Sequence, residues 1–482
     1  MKRSTIFAIT ILAIQSFGLA QYSEDALRYS GRGYGSGSRA LGMGNAYIGV
    51  SDDYSASVWN PAGLAQMRRL EVMGGISSTG MSNDASYYGS NQTSDISATA
   101  LDNIGFVFPF PTVQGSLVFA FGFNRVSDFA SDVKFEGFNN QSSIIPSLYQ
   151  STASYDVPYN VYLTNVSGYS AVQKNINQRG EIKEGGSLGQ WSFSGAIDVE
   201  ENLSLGVSLN VYSGAYDYTR NFVEEDTKNI YNNTAAGLPS DSAYLRFNKF
   251  YLDNFLNGEL SGSNIMLGFM YRTDLVRVGL IAKGPTSVTV KETYSDDGES
   301  VFDNNGGSWS PSNPAKKYST PVSNNEYSVS SPWTFGAGAS IYLIPQLLLA
   351  ADVEYTDWTQ IAWGDNPDLE KKNNQLQSEF RSTVNYRFGA EFDIPSTEMR
   401  VRGGYSMTPS PYKNDPSTFD QAMFTGGAGI FLQRNVVMDA AFAYGTMKSY
   451  RNEYSISGLP NTARVDRSIT ATLVNFTISY RF

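Results

Sequence analysis

Trp191-Ser192-Phe193-Ser194-Gly195-Ala196-Ile197-Asp198-Val199 runs into Glu200-Glu201-Asn202, and Leu203-Ser204-Leu205-Gly206-Val207-Ser208-Leu209-Asn210-Val211 follows. In the first run Trp191, Phe193, Ile197 and Val199 share one side of a period of two, and Ser192, Ser194, Ala196 and Asp198 share the other. In the second run Leu203, Leu205, Val207, Leu209 and Val211 oppose Ser204, Gly206, Ser208 and Asn210. A period of two places one set on each face of a strand. Two such runs across a short polar turn predict a hairpin.

The unit recurs along the chain. Ile265, Leu267, Phe269 and Tyr271 lead through Thr273-Asp274 to Val276, Val278 and Leu280. Phe335–Ile341 turns near Ile344-Pro345 into Leu347–Tyr355, and Phe388–Phe392 turns at Pro395-Ser396 into Val401–Tyr405. Phe424–Leu432 turns at Gln433-Arg434-Asn435 into Val436–Tyr444, and Val474, Phe476, Ile478, Tyr480 and Phe482 close the chain. Adding Leu70–Ser78, Asn103–Pro109 and Ser116–Val126 brings the total to about fourteen strands, an even number that suits a closed transmembrane antiparallel barrel. Strands of about 9–11 residues are expected to cross the hydrocarbon. Closure matters because an open sheet edge in lipid leaves backbone groups unpaired.

The connections alternate in length. Short turns separate the paired runs. Long polar stretches lie between the hairpins, at Ser127–Gln190, Thr219–Ser263, Lys291–Ser331, Thr356–Asn385, Thr408–Met423 and Gly445–Ile469. That asymmetry is the outer-membrane pattern. Tyr271, Tyr355, Tyr405, Tyr444 and Tyr480 stand at strand ends, where an interfacial aromatic girdle is expected. A soluble sandwich or propeller would alternate too, but Lys-protected edges and a higher charge content would then be expected.

Composition agrees and excludes much chemistry. Charged residues are 17% of the 482, against about 25% in a typical soluble domain. There is no Cys, hence no disulfide, thiolate nucleophile or Cys-based zinc site, and no His, the commonest general base and metal ligand. No catalytic triad of the His type exists, so the chain is read as a non-enzyme with no cofactor and no metal. A net charge of −11 without a basic stripe argues against nucleic acid as a partner.

Residues 1–20 read as a secretory signal: Lys2 and Arg3, then the apolar run Ile6–Ile14, then Gly18-Leu19-Ala20 at the cleavage positions. Residues 21–69 precede the first strand. They are rich in glycine from Gly31 to Gly44, and no Lys-Ser/Thr follows, so they do not form a phosphate loop. A compact glycine-rich segment ahead of a barrel is better read as a hatch, a plug packed in the lumen, because glycine admits close backbone approach. Residues 70–482 then form the barrel. Arg277, Lys283, Asp352, Glu354, Glu391, Arg400, Arg402 and Asp439 fall on the polar face of their strands. In lipid a basic residue at mid-depth costs about 2–4 kcal/mol, so these eight are assigned to the lumen. Their mixed signs predict a cross-lumen ion-pair network. A gated path and mutual neutralisation remain equal readings of it.

Ser38-Arg39-Ala40-Leu41-Gly42-Met43-Gly44-Asn45-Ala46 and Asp52-Asp53-Tyr54-Ser55-Ala56-Ser57-Val58-Trp59-Asn60-Pro61-Ala62-Gly63-Leu64 resemble the FadL-type outer-membrane transporter family, which includes aromatic-hydrocarbon uptake proteins. Gly268–Arg272 with Lys283–Thr286, Ala351–Thr359, and Val401–Tyr405 with Pro409–Pro411 are similar to other family blocks. The resemblance implies a fourteen-stranded barrel in the outer membrane, with Asn60, Pro61 and Ala62 as the hatch signature. It also implies capture of hydrophobic molecules such as long-chain fatty acids or hydrocarbons by the outer loops, binding inside, and hatch-gated lateral release. A secretion-associated branch shares the signature, so a barrel serving as partner or shuttle in protein secretion or surface attachment is the alternative.

Within Thr219–Ser263, Tyr244, Phe247, Tyr251 and Phe255 are spaced for an amphipathic helix, with Phe250 beside them. Such a helix would offer a greasy groove to a ligand tail, with Arg246 and Lys249 placed for a carboxylate head. The plainer reading is that these aromatics cap the barrel. The expected partners are a hydrophobic small molecule, outer-membrane lipid and the barrel-assembly machinery, which reads the terminal strand ending at Phe482. A monomer is expected. Pro109 and Pro111 mark a possible interruption of the wall, since proline removes a ladder donor.

Overall fold

The structure, a computed structural model, describes residues 19–30, 33, 35–149, 156–231, 246–303, 316–456, 458–459 and 461–482. Fourteen strands go round one closed antiparallel barrel. They are β1 (Glu71–Tyr87), β2 (Ser90–Phe110), β3 (Leu117–Asp128, resuming as Ser131–Asn139), β4 (Ile176–Glu200), β5 (Leu203–Glu225) and β6 (Phe247–Arg272). Next come β7 (Val276–Lys283, resuming as Ser287–Phe302), β8 (Lys316–Ser319, Ser323–Ser330 and Thr334–Ile344) and β9 (Leu347–Asp357, resuming as Ala362–Gly364). The circuit ends with β10 (Ser382–Asp393), β11 (Met399–Thr408), β12 (Gln421–Gln433), β13 (Val436–Asn452) and β14 (Arg464–Arg481). Closure is made by β1 on β14, in register from Glu71↔Arg481 to Ser86↔Asp466.

The wall is inverted relative to a soluble core. Leu205, Val207, Leu209 and Val211 of β5 are exposed on the outside, as are Ile265, Leu267 and Tyr271 of β6, while the inward Ser204, Ser208 and Asn210 are buried. The apolar stretch ends abruptly: past Val211 the outward residues of β5 are Ser213, Ala215 and Asp217, and past Ile265 those of β6 are Ser263, Ser261 and Glu259. The Leu203–Val211 span, at about 3.3 Å per residue and tilted, fits the roughly 25 Å apolar band of a transmembrane barrel.

Several expectations need correcting. The strands run far past that band. β4, β5 and β6 have 25, 23 and 26 residues, so large parts of the stretches expected to be loops at Ser127–Gln190 and Thr219–Ser263 are strand. The alternation continues beyond the membrane because the barrel there still has an interior to fill. Tyr212, Tyr216, Phe222, Phe250, Leu252 and Leu260 point into an aromatic core above the band. For the same reason the helix expected around 244–256 is absent: Phe247–Arg272 is strand, and Phe250, Leu252 and Leu260 share its inner face with period two. A register shift between Phe247 and Lys249 puts Phe247 on the inner face as well, which produced the helix-like spacing. Tyr244 lies outside the described residues.

The wall is not interrupted at Pro109, which pairs with Val118. The last β1–β2 rung is Glu71↔Val107, so the missing donor has no ladder to break on that side. The β2–β3 ladder ends higher up, at Asn103↔Asn124. Above it β3 bends inward under the β1–β2 hairpin, where Asn83 and Ser94 donate to the Asp132 carbonyl at 2.7 and 2.6 Å.

The N-terminal segment fills the lumen. Helix α1 (Leu19–Tyr29) stands in the upper half, with Ala26 and Tyr29 inside the aromatic core. Helices α2 (Ser38–Gly42) and α3 (Ala56–Trp59) and a 3-10 turn (Pro61–Gln66) form a hatch across the lower, short-turn half. The core is thus split: aromatic packing above, and a dense plug of small residues and paired charges below.

Candidate functional site

The hatch is fixed to the wall by polar contacts at its corners. Arg39 donates through Nε and Nη2 to the two Glu391 oxygens, both at 2.8 Å, and also pairs with Asp52. Glu391 accepts from Arg402 at 2.7 Å, Arg402 reaches Asp439 at 2.5 Å, and Arg400 stands 3.9 Å from Glu391 and 2.7 Å from Asp393. Arg277 donates to Asp52 at 3.2 Å. Burial alone would raise the Asp52 carboxyl, but Arg39 and then Arg277 hold it well below the usual carboxylate range. Asp352 accepts the Tyr47 and Ile48 amides at 2.7 and 2.8 Å, and Glu354 pairs with Arg387 at 3.1 Å.

Asn60 ties three segments together. Its Oδ1 accepts the Ala62 amide at 3.1 Å, capping the 3-10 turn that Pro61 begins. Its Nδ2 donates to the Ile48 carbonyl at 3.0 Å and to the Phe269 carbonyl of β6 at 3.1 Å. The wall behind this turn lacks side chains: Gly206, Gly268 and Gly279 lie against it, and a Cβ on any of them would stand 2.3 Å from a hatch atom.

Above the hatch is a cavity of about 550 Å³. Its floor includes Ser36, Val58 and Trp59, its roof Leu27 and Arg28 of α1 with Ser30 just after it, and its sides Asn124–Asp128 of β3 with Phe129 just after it, Met266 of β6, and Ile281 and Lys283 of β7. Six basic residues (Arg28, Arg125, Lys283, Arg387, Lys448, Arg467) and three acidic ones (Asp128, Glu354, Asp415) border it, so it is cationic in a chain of net charge −11. Arg387 and Arg125 are neutralised by Glu354 and Asp128. Among the described residues Lys283 makes no ion pair, which leaves its ammonium available to an anion in the cavity. At the roof, Arg28 pairs with Asp25 and, at 2.9 Å, with Glu184, and lies over the Tyr216 ring. Burial pushes the Asp25 carboxyl up to about 6, against the pull of Arg28.

The sequence-based candidates separate into groups. Arg277, Asp352, Glu391, Arg400, Arg402 and Asp439 belong to the hatch contacts or flank them, and Lys283 and Glu354 border the cavity. Phe247 and Phe250 are buried in the upper core, whereas Lys249 pairs with Glu225 at 3.1 Å and Phe255 is exposed on the outer face. Tyr251 and Arg246 are half-buried, and Arg246 starts the strand at a φ of 66°. These residues share no surface, and none borders the cavity. Sequence reasoning missed Arg39, Asp52, Trp59, Arg28 and Arg387. A signal existed for Arg39: an Arg beside the apolar Ala40-Leu41 in a glycine-rich segment demands an acid if it is buried.

The model of the outer membrane protein transport protein family (OMPP1/FadL/TodX) matches residues 185–482, more than half of the chain. The chain belongs to this family. Its fold is shared with a FadL homologue from Pseudomonas aeruginosa, at 14% identity and a TM-score of 0.56 over 93% of this chain and 98% of that one. The P. putida toluene transporter TodX gives 13%, 0.56, 94% and 99%, and the monoaromatic hydrocarbon channel CymD gives 16%, 0.51, 93% and 98%. At such identities the likeness shows the fold. No curated protein matches. The FadL/TodX-type chain is therefore an outer-membrane barrel of a transport family.

Proposed function

We propose that this barrel carries hydrophobic small molecules inward across the outer membrane by passive diffusion, making and breaking no bonds. Residues 1–20 are the signal removed on export, 21–69 the hatch and 70–482 the barrel. The outer loops capture the ligand, the cavity between α1 and the hatch binds it, and movement of the hatch allows its lateral release. The protein works as a monomer after insertion by the barrel-assembly machinery.

The observation that carries the reading is the cavity. It combines an apolar lining (Leu27, Val58, Trp59, Met266, Ile281) with an excess of basic side chains, among them Lys283, which makes no ion pair among the described residues. That combination favours an amphiphile with an anionic head, hence a long-chain fatty acid over a neutral hydrocarbon. The cavity, and not the Phe247–Phe255 strand, is the proposed ligand site.

The test is uptake of labelled palmitate and labelled toluene by cells with and without the protein, before and after the proton gradient is collapsed. Gradient-independent palmitate uptake that requires the protein supports the reading. Equal uptake in both strains, together with a co-purifying secreted protein, would favour the secretion role instead.

A further inference from the structure

The upper part of β2 is an open sheet edge. On one side its rungs to β1 run from Ile76↔Leu101 to Tyr87↔Ser90 at the hairpin tip, while on the other its rungs to β3 stop at Asn103↔Asn124. Tyr88-Gly89 joins the hairpin with φ values of 47° and 82°, the two-residue turn whose flanking residues, Tyr87 and Ser90, exchange both backbone bonds. Alternation from Ser90 gives the even-numbered residues to β1. The N–H and C=O groups of Asn91, Thr93, Asp95, Ser97 and Thr99 point the other way, and among the described residues they meet no partner.

This edge stands in water. Ile76 and Leu101 are the last apolar residues on the outer face of the two strands, and above them that face carries Ser78, Ser82, Asp84, Asp95, Ser97 and Thr99. Exposed edges are ordinarily protected by lysine, proline, a bulge or a very short strand. Ser90–Leu101 contains no proline and no basic residue, its one charge is Asp95, and the register shift of the β1–β2 pair lies only at its foot. Free donors and acceptors along such a strand are a template for another chain.

The flanking side chains state what fits. Residues 72–101 contain no Lys or Arg, and the exposed Asp84 and Asp95 make no ion pair among the described residues. A strand laid beside β2 sets a side chain about 5 Å from each outward residue of the edge, so a basic residue belongs opposite Asp95. On the inner side it meets the half-buried Ile96, Ala98 and Ala100, which suit small apolar side chains. A second copy of this chain does not fit. Two barrels inserted in the same sense are related by a two-fold axis along the membrane normal, so their β2 strands run the same way and cross at twice the strand tilt of about 35–45°. The second β2 would also set acid and hydroxyl groups against Asp95.

We propose that upper β2 is a docking edge for an extended polypeptide in which basic residues alternate with small apolar ones, added outside the membrane as an antiparallel strand in the place that β3 vacates. This binding is separate from the transport proposed above and needs neither the cavity nor the hatch.

The probe is a fluorescein-labelled nonapeptide of alternating lysine and valine, titrated by anisotropy against the full-length protein in a neutral detergent. Lysine opposite Asp95 in an antiparallel pair exchanges its backbone bonds with it. N-methylation of the lysine amides should therefore abolish binding, and N-methylation of the valine amides should spare it, although the two peptides carry equal charge. Asp95→Lys, which turns attraction into repulsion, and Ser97→Pro, which removes a free donor without touching the β1 ladder, should each weaken binding roughly tenfold. Circular dichroism checks that both variants keep their strand content, and Asp95→Lys carries the test should Ser97→Pro misfold. A peptide that does not bind overturns the proposal. So does equal binding of the two methylated peptides, or binding indifferent to both substitutions, which is adsorption by charge alone. Peptide-free dimers that Ser97→Pro dissolves would give the edge to a second copy and overturn it as well.

Discussion

Gly206 of β5 lies directly behind Ala62 of the hatch, so close that a Cβ on it would stand 2.3 Å from both the Ala62 amide nitrogen and the Pro61 carbonyl carbon. Both neighbours are backbone and cannot rotate away. Gly206→Ala should therefore displace the Asn60–Ala62 turn and raise the conductance of the barrel in a planar bilayer. Gly403, whose Cβ would have nothing within 4 Å, is the control, and Gly403→Ala should conduct like the parent. Equal conductance in the two variants would mean that the hatch is not seated as described.

Arg39 is the hatch cation that meets the wall acid Glu391 in a two-pronged contact. Arg39→Ala leaves Glu391 and Asp52 short of a buried partner, a change that costs about 3–5 kcal/mol in general. Arg402 and Arg277 remain in place and should keep the loss near the lower figure. Hydrogen exchange across residues 38–66 should accelerate while the strands stay protected. Arg39→Lys should recover only part, because an ammonium cannot make the fork. Unaltered exchange in Arg39→Ala would remove Arg39 from the role given to it.

How much of this was legible beforehand differs by region. The Trp191–Val211 hairpin and its repeats set the strands, the closure and the outward grease, because a period of two survives wherever one side meets lipid and the other water. The outer half was misread for a related reason. Above the band both faces of β6 carry aromatics, Phe250 inside and Phe255 outside, and a bulge next to Phe247 shifts the alternation, so a strand imitates a helix. Residues such as Arg28 and Arg387 were out of reach: each faces the cavity only because strands or helices distant in sequence bring it there. The Asn60 contacts illustrate the same limit. The Asn-Pro pair implied a turn, but nothing local indicated that its amide would reach the Phe269 carbonyl.

Lys283, which makes no ion pair among the described residues, offers the cavity an ammonium. Lys283→Gln should weaken palmitate binding by about tenfold, the size of a charge-assisted hydrogen bond of roughly 1.5 kcal/mol. A neutral analogue such as the methyl ester should bind both proteins alike. Titration by tryptophan fluorescence suits the measurement, since Trp59 lies on the cavity floor. Equal losses for acid and ester would show that Lys283 acts on shape and not on charge.

Asp25 carries a pH dependence whose sign can be worked out. Its carboxyl sits near 6 when α1 is docked, against 3.8 when free, so the docked helix holds the proton more tightly. Docking is therefore strongest below the free value, weakens as pH rises from about 4 to about 6, and levels off above that. Exchange of the amides in α1 should be slower at pH 5 than at pH 8 once corrected for intrinsic rates. Asp25→Asn should abolish the difference. A helix equally protected at both values would contradict the burial assigned to Asp25.

The central claim is that the space between α1 and the hatch holds an amphiphile with an anionic head. It is tested most directly by purifying the protein in a mild detergent, extracting it with solvent and identifying what is released by mass spectrometry. The account predicts a long-chain acid bound near one per chain, and less of it from Lys283→Gln. Recovery of no lipophilic molecule, from a protein that also fails to take up added palmitate, would contradict it.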